Sequence, residues 1–442
     1  MTALTSSTAP GDRVASRRSS LTRRDFVRMA GVAPVAMATA GMVARRALGA
    51  NVAGSDTIRI ALIGAGARGT DAVFNCLAAG KGIEVVAIAD LFEDCAKGCF
   101  DNLKQNTEAG AFKVTPERVF WGFDAYRKAL ATDCNYVILT TPPHFRPQHL
   151  KAAVEAGKHA FVEKPVAVDP AGVRSVIASA EIAAKKKVGI VAGTQRRRMA
   201  QYREIIKRVH DGAIGDIVAA QCYWLGCELG YQDRQPAWSD MEYQCRNWWY
   251  HTWLSGDHIT EQHVHNLDIA LWAIASMPRD VIGMGGRQVR TDKRFGNVFD
   301  HFAIEFSYEN GILINSYCRQ TDNCTERVNE VILGTKGTAH PGDGIIKGEK
   351  PYTFEGDVPD PLVLEHADLV ASIRVGAPLN EGRQIAQSTM LAVAGRMSAY
   401  TGREFSFDWV MNASKLDLTP PKYELGPLED APVAVPGTTP LT

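Results

Sequence analysis

The chain has 442 residues, of which 45% are hydrophobic and 22% charged, with 49 Lys and Arg against 49 Asp and Glu. This composition excludes a disordered or fibrous chain, and the length supplies cores for roughly two or three domains. The zero formal charge is unevenly spread: residues 1–50 hold eight Arg and two Asp, and the mildly acidic remainder argues against a nucleic-acid partner.

The basic N-terminus has its own pattern. Thr22-Arg23-Arg24-Asp25-Phe26-Val27-Arg28 reads as a twin-arginine motif. The apolar run that follows, Met29–Ala44, is too short and too weakly hydrophobic for a membrane span. The Arg45-Arg46 pair and the small residues Gly49 and Ala50 suit export with cleavage nearby. Residues 1–50 are therefore expected to be a signal peptide for the twin-arginine export machinery. That route would place a folded, cofactor-loaded protein in the periplasm or another extracytoplasmic space. A basic disordered arm is the alternative. The nine cysteines form no C-x-x-C pair and are expected to be mostly buried small hydrophobes, with no disulfide framework.

Ile58–Ile63 is an apolar run that reads as a buried parallel strand. Gly64-Ala65-Gly66-Ala67-Arg68-Gly69 follows, then a helical pattern (Val73, Cys76, Leu77), then a second apolar run, Ile83–Ala89, ending at Asp90. Strand, glycine loop, helix, strand and acid is the context that gives a G-x-G-x-x-G spacing meaning. Gly64 permits the tight turn, Gly66 lets the backbone approach a pyrophosphate, and Gly69 lets the helix pack on the strand. Ala67 and Arg68 open the helix, whose free N–H groups attract phosphate. Asp90, 21 residues after Gly69, is placed to accept from the adenine-ribose diol. The next residues, Leu91 and Phe92, offer no cation for a 2′-phosphate, so the reading favours NAD over NADP. A tight turn that binds nothing is the alternative.

The α/β alternation continues with strands at Arg118–Trp121, Tyr136–Thr140, His159–Val162 and Val188–Ala192. Helical patterns at Phe123–Leu130, Pro147–Ala156 and Asp169–Lys185 separate them, which predicts a doubly wound parallel sheet. Past Gly193 the texture changes. After a helix at Met199–His210, the segments Asp280–Arg290, Val298–Tyr308, Gly311–Gln320 and Arg327–Leu333 fit an antiparallel sheet. Glu309-Asn310-Gly311 is a hairpin turn within it. Helices return at Leu362–Arg374 and Arg383–Tyr400. The expected fold class is α/β: a dinucleotide-binding domain over 56–194, a substrate-binding α/β domain over 195–410, and an extended tail over 411–442, Pro-rich from about Thr419.

Ligands in open parallel sheets bind beyond the carboxyl ends of the strands. Two polar groups sit at such ends: Thr140–His144, contributing Thr141, Pro142 and His144, and Glu163-Lys164-Pro165. A lysine there can polarise a hydroxyl and stabilise developing alkoxide charge; an exposed loop lysine is the alternative. A further constellation runs from Gly256 to Asp268. At about 100° per residue, His258, Glu261, His265, Asp268 and Trp272 share an arc of roughly 80° on one helix. Glu261 and His265, four residues apart, suit a carboxylate that orients an imidazole base. A metal held by His258, Glu261 and His265, or a structural polar face, are the alternatives; no metal is expected. Five of the eight Trp lie within 224–253 among Tyr243, Tyr250 and His251, and flat aromatic faces suit a sugar ring. Arg197, in the run Arg196-Arg197-Arg198, is a candidate substrate-facing guanidinium.

The glycine loop, the Thr-Pro turn, Ala-Gly-Lys-His before Glu-Lys-Pro, and the acid-x3-His-x2-Asp helix resemble the Gfo/Idh/MocA family (glucose-fructose oxidoreductase, inositol dehydrogenase, rhizopine catabolism), over roughly residues 56–410. The resemblance implies a Rossmann domain followed by an α/β domain with an open, largely antiparallel sheet. It also implies a tightly held nicotinamide cofactor, a sugar or cyclitol substrate, and dimers or tetramers built through the open sheet. Lys164 matches the family's catalytic lysine and His265 its catalytic histidine. Glu261 stands where most members have Asp, Arg146 where His is common, and His263 where Gly is common, which sets the chain in a divergent, exported subgroup.

The expected activity is NAD(P)-dependent oxidation of a sugar, glycoside or cyclitol hydroxyl, with Lys164, His265 and Glu261 catalytic. Arg197, Tyr250, His258 and Asp268 are the candidate substrate-binding residues. Export away from a free nucleotide pool implies a cofactor recycled in place. A redox-neutral glycoside hydrolase and a non-catalytic nucleotide-binding scaffold are the other readings.

Overall fold

The computed structural model describes residues 57–108 and 110–442, so the twin-arginine reading of residues 1–50 lies outside the described residues. Six strands form the first sheet: β1 (Ile58–Ile63), β2 (Ile83–Asp90), β3 (Val119–Trp121), β4 (Tyr136–Leu139), β5 (His159–Val162) and β6 (Ile190–Ala192). Their order is β3-β2-β1-β4-β5-β6, all parallel, which is the doubly wound arrangement. The intervening helices include α1 (Ala67–Ala78), α2 (Glu93–Asn106), α3 (Ala125–Leu130), α4 (Arg146–Glu155) and α5 (Pro170–Lys186).

Both faces of this sheet are covered, so its strands read as apolar runs rather than alternations. The period-2 rule still sorts their side chains. Ile58, Ile60 and Leu62 pack with Val73, Cys76 and Leu103 of α1 and α2. Ala61 and Ile63 pack on the other face with Tyr126, Leu150 and Val173 of α3, α4 and α5. The first face is completed from far along the chain by α11 (Pro361–Arg374), whose Leu369 and Val370 join that cluster.

After α6 (Ala200–His210) the chain enters a nine-stranded sheet. Its strands are β7 (Ile217–Gly226), β8 (Asp280–Gly286), β9 (His301–Ser307), β10 (Leu313–Gln320), β11 (Arg327–Gly334), β12 (Gly337–His340), β13 (Ile345–Gly348), β14 (Tyr352–Thr353) and β15 (Phe405–Ser406). The order is β14-β13-β12-β11-β7-β10-β9-β8-β15; only β7 and β10 run parallel, and the other pairs are antiparallel. The β9–β10 hairpin turns at Gly311 with φ +83°, a conformation that glycine adopts without steric cost. β8 stops at Gly286 rather than continuing to Arg290. There the chain folds over Asp300, whose Oδ2 accepts backbone N–H groups of Gln288 and Val289, both at 2.6 Å.

One face of the sheet is packed by α10 (Val264–Ile274) and α12 (Gly382–Thr401), both almost wholly buried. The residues Val218, Ile282, Met284, Tyr317 and Val328 remain exposed. Beyond α13 (Phe407–Asn412) the last thirty residues have no regular structure, yet they are docked: Leu416, Val433 and Leu441 pack on the main core. Among the described residues, no helix is long and apolar enough to cross a membrane.

Candidate active site

The glycine loop is shaped by backbone approach. Gly64 has φ +102°, and a Cβ there would lie 2.4 Å from the Thr141 amide nitrogen. A Cβ on Gly69 would lie 1.9 Å from the Gly64 carbonyl oxygen. Gly66 differs: nothing lies within 4 Å of the position its Cβ would take. It is the N-cap of α1 and supplies no side-chain cap, so the first helical N–H groups are left for another acceptor.

Gly64 and Gly66 border a cavity of about 470 Å³. Thr140, Thr141, Pro142 and Asp90 line it from the first sheet. Asp90 Oδ2 accepts from the Ala65 N–H at 2.7 Å and Oδ1 from the Phe92 N–H at 2.9 Å. Each oxygen keeps a further lone pair for a ligand hydroxyl. Burial raises this carboxyl above the usual carboxylate range. The open cradle at Gly66, the uncapped helix and the acid at the end of β2 together fit a dinucleotide, with pyrophosphate at Gly66 and Ala67 and a ribose at Asp90.

The opposite wall comes from beyond residue 230. Gln232, Trp238, Cys245, Arg246 and Trp248 line it, on and around α7 (Asp240–Arg246), which the short α8 (Thr252–Ser255) follows. The Arg246 guanidinium sits 3.9 Å from the Phe92 ring centroid and makes paired hydrogen bonds to Asp94, each 3.0 Å. Sequence reasoning found no cation near Asp90. The fold supplies one, Arg246, 152 residues beyond Asp94 and already compensated by Asp94 and Glu242.

Beside this cavity, the ends of β4 and β5 are clamped together. The Glu163 N–H donates to the Leu139 carbonyl at 2.9 Å. Arg146, wholly buried, donates to the Thr141 carbonyl at 2.8 Å and the Pro165 carbonyl at 2.6 Å, tying the Thr-Pro turn to the Glu-Lys-Pro turn. Glu163 faces back toward the glycine loop, accepting from Arg68 Nε at 2.7 Å and from the Lys164 N–H at 2.9 Å.

Lys164 is directed to the second constellation. Its Nζ donates to the Glu261 carbonyl at 2.7 Å and to Glu261 Oε1 at 3.0 Å. Glu261 Oε2 is buried without a hydrogen-bond partner among the described residues. His265 is buried nearby and stacks on Trp224 with an interplanar angle of 19°. Burial, with Lys164 and Arg196 adding to it, holds its imidazole well below the usual histidine range, so it stands neutral.

The single-helix geometry expected for residues 257–274 needs correction. The chain forms two helices, α9 (Asp257–Glu261) and α10, with a break at Gln262 and His263. His263 is fully buried in the break and bonds Asn266 Oδ1 at 3.2 Å and Ser316 Oγ at 2.8 Å. The expected arc is therefore divided: His258 and Glu261 lie on α9, while His265, Asp268 and Trp272 stay on α10, where Arg197 meets both Asp268 and Trp272. His258 turns to its neighbour Asp257, 3.0 Å away, and packs on Phe302. Among the described residues no hydrogen bond joins Glu261 to His265, and no three His, Cys, Asp or Glu side chains are grouped to hold a metal.

Asp268 holds Arg197 in a two-point pair, 2.8 and 2.9 Å, and accepts from Ser388 Oγ at 2.6 Å. Arg197 is thus spent on an internal pair, as are Arg196 on Glu330 and Arg198 on Glu381. Tyr250 is fully buried, its hydroxyl donated to the Leu229 carbonyl, so its ring belongs to a core with Phe295 and Val298. His144, also buried, turns its Nε2 to the Tyr423 hydroxyl at 2.8 Å rather than into the cavity. Of the aromatic cluster, Trp224 reaches His265, while Trp238 and Trp248 line the dinucleotide cavity.

Comparison with known proteins agrees with this fold. Residues 58–191 match the model of an oxidoreductase family with an NAD-binding Rossmann fold, and residues 202–340 match the Gfo/Idh/MocA C-terminal domain. Inositol 2-dehydrogenase 3 of Saccharopolyspora erythraea is 26% identical over 59% of this chain and 65% of its own length. A glycosyl hydrolase family 109 protein of Streptomyces coelicolor is 28% identical over 38% of this chain and 34% of its own. The chain thus spans under two thirds of such relatives. Among solved structures, the aldose-aldose oxidoreductase of Caulobacter crescentus superposes with TM-score 0.62 at 19% identity, covering 79% of this chain and 99% of that one. A levoglucosan dehydrogenase complexed with NADH and levoglucosan gives TM-score 0.63 at 16% identity, covering 79% and 99%. At such identities the likeness carries the fold.

Proposed function

The chain belongs to the Gfo/Idh/MocA oxidoreductase family, and we propose that it oxidises a hydroxyl of a sugar, glycoside or cyclitol with NAD held tightly and recycled in place. The observation that carries this reading is the contact of Lys164, from the end of β5, with Glu261, at a distance from which Lys164 also lowers the buried His265 imidazole. When bound, the nicotinamide supplies the hydride acceptor. Lys164 Nζ, fixed by two acceptors of Glu261, offers its third donor to a substrate oxygen and stabilises the charge that develops there. His265, neutral because it is buried, takes the hydroxyl proton. Glu261 Oε2 lacks a donor, and a substrate hydroxyl supplies one. The reading favours NAD over NADP because Asp90, at the end of β2, would meet the ribose diol and Arg246 is already paired with Asp94.

A second reading is redox-neutral glycoside cleavage, favoured by the similarity to a glycosyl hydrolase family 109 protein. The same lysine and histidine then serve proton transfer at the carbon next to the transiently oxidised one. We further propose that residues 1–50 direct export by the twin-arginine pathway and that the enzyme works as a homo-oligomer.

The test starts from purified, undialysed protein. It is denatured, and the released nucleotide is identified by mass and absorbance. Near-stoichiometric NAD or NADH supports recycling in place. An empty protein that binds NAD weakly indicates a dissociable dehydrogenase. Release of an aglycone from a glycoside without added NAD selects the hydrolase reading. A protein that holds the nucleotide and turns over no sugar, cyclitol or glycoside is a scaffold.

A further inference from the structure

Of the nine cysteines, Cys227 and Cys324 alone are exposed. The topology brings them together. β7 lies between β11 and β10, so the connection from β10 to β11, residues 321–326, must cross the end of β7 where the chain leaves as Cys227. The crossing is pinned on both sides. The Thr321 N–H donates to the Gly226 carbonyl at 3.0 Å, and the Glu228 N–H donates to Asp322 Oδ1 at 2.8 Å. Leu225 pairs with Arg327 in the antiparallel ladder. Continuing that register by two residues sets Cys227 opposite Thr325, beside Cys324. The Cys227 thiol donates to Glu326 Oε1 at 3.0 Å. Opposed residues lie about 4.8 Å apart and one further step along the chain adds about 3.4 Å, which sets the Cys227 and Cys324 Cα atoms about 6 Å apart, within the separation that a disulfide spans. Residues 321–326 are a turn, with Asn323 at φ +59°, so Cys324 is not bound to the alternation of a strand, and its thiol lies close enough to push the Cys227 thiol up.

We propose that Cys227 and Cys324 are a disulfide-forming pair that staples the β10–β11 crossing to the exit of β7. The chemistry is thiol–disulfide exchange with a small-molecule or protein disulfide as oxidant. One thiolate attacks the donor and expels its first thiol; the second thiolate attacks the mixed disulfide and expels the other. The two protein thiols are oxidised, and the donor leaves as two thiols carrying both protons. The Glu326 carboxylate pushes the Cys227 thiol up, so exchange quickens as pH rises. The consequence reaches the active site because the loop rooted at Cys227 carries Gln232 and Trp238 to the cavity wall.

The test treats the full chain with oxidised glutathione, traps remaining thiols with N-ethylmaleimide and digests it with trypsin without reduction. Cys324 is the sole cysteine of the tryptic peptide Gln320–Arg327, and Cys227 falls within the peptide Val209–Arg234. The expected product joins these two peptides, and it disappears in Cys227→Ser and in Cys324→Ser. On oxidation the thermal unfolding midpoint of the unmodified chain rises, and that of Cys324→Ser does not. Recovery of both cysteines as maleimide adducts, separate glutathione adducts on each, or a link between two copies of Gln320–Arg327 overturns the proposal. So does an oxidised chain whose midpoint matches the reduced one.

Discussion

Lys164 Nζ is fixed by a single residue, Glu261, through its carbonyl oxygen at 2.7 Å and its Oε1 at 3.0 Å. The backbone contact is independent of the acid's side chain, so the lysine's position does not rest on the carboxylate alone. This separates two roles. The carbonyl positions the ammonium, while the carboxylate compensates its charge and keeps an unpartnered Oε2 in the site.

The first prediction follows from that separation. Lys164→Ala and His265→Ala should each lower kcat by about 100-fold or more, the usual scale for losing a proton-transfer or charge-stabilising group. Nucleotide content after purification should stay unchanged, because neither side chain lines the cavity around Gly66 and Asp90. Glu261→Gln, which keeps the carbonyl contact, should cost less than Lys164→Ala. Steady-state rates with nucleotide content measured alongside decide it, and unchanged turnover in the first two variants removes the site assignment.

Two glycines three residues apart should respond oppositely to the same substitution. Gly69→Ala sets a methyl 1.9 Å from the Gly64 carbonyl oxygen, so backbone must move and the folded yield should fall sharply. Gly66→Ala meets nothing within 4 Å, so the protein should fold with an unchanged thermal midpoint. Its methyl then occupies the approach of the pyrophosphate, and NAD affinity should drop about tenfold or more. Titration of each refolded variant with NAD, beside thermal melts, separates the two effects.

These contrasts show which features were legible along the chain. The glycine loop, the parallel strands and the Glu-Lys-Pro turn are local spacings whose physics acts within a few residues, and the structure places them where the spacing put them. The 257–274 segment reads as one helix because no Gly or Pro marks the break at Gln262. His263 leaves the helical course to bond Ser316, 53 residues away, and no local signal announces such a partner. Arg246 was invisible for the same reason, its carboxylate partner Asp94 lying 152 residues earlier. Tyr250 and His144 carried the right residue types for a ligand site, but burial gave their polar atoms to Leu229 and Tyr423.

Acid should unfold this protein through its buried histidines. Burial lowers His144 and His251 to about 4 and His149, His263 and His366 to about 3. Unfolded, each returns to an ordinary value near 6.5 and takes up a proton below it. The unfolded state therefore binds more protons as pH falls. The stability these groups contribute is complete above about 6.5 and is lost as pH drops from there toward their folded values. At pH 5 the loss reaches up to about 2 kcal/mol for each histidine. Urea midpoints should fall steadily between pH 7 and pH 5, and a flat profile refutes the account.

The C-terminal tail offers the last prediction. The Tyr423 ring lies 5.8 Å from that of Phe123 and 5.9 Å from that of Phe145, and both phenylalanines line the dinucleotide cavity. Its hydroxyl meets His144 Nε2 at 2.8 Å, and the tail also ties down α7 through the Gly426 carbonyl, which accepts the Met241 N–H at 3.1 Å. The tail thus braces both walls of the cavity from outside. Tyr423→Phe keeps the ring contacts and leaves the neutral His144 nitrogen without its partner, a cost of about 1 kcal/mol. Tyr423→Ala also removes the ring from beneath two cavity-lining phenylalanines and should cost about 2 kcal/mol, since the side chain is only partly buried. If the brace holds the cavity closed, dissociation of the nucleotide quickens in the order unmodified chain, Tyr423→Phe, Tyr423→Ala. Lys164 and His265 lie outside the contact, so kcat at saturating nucleotide stays unchanged. Retention of NAD through gel filtration, compared across the three proteins, is the measurement. Equal retention in all three limits the tail to a purely structural role.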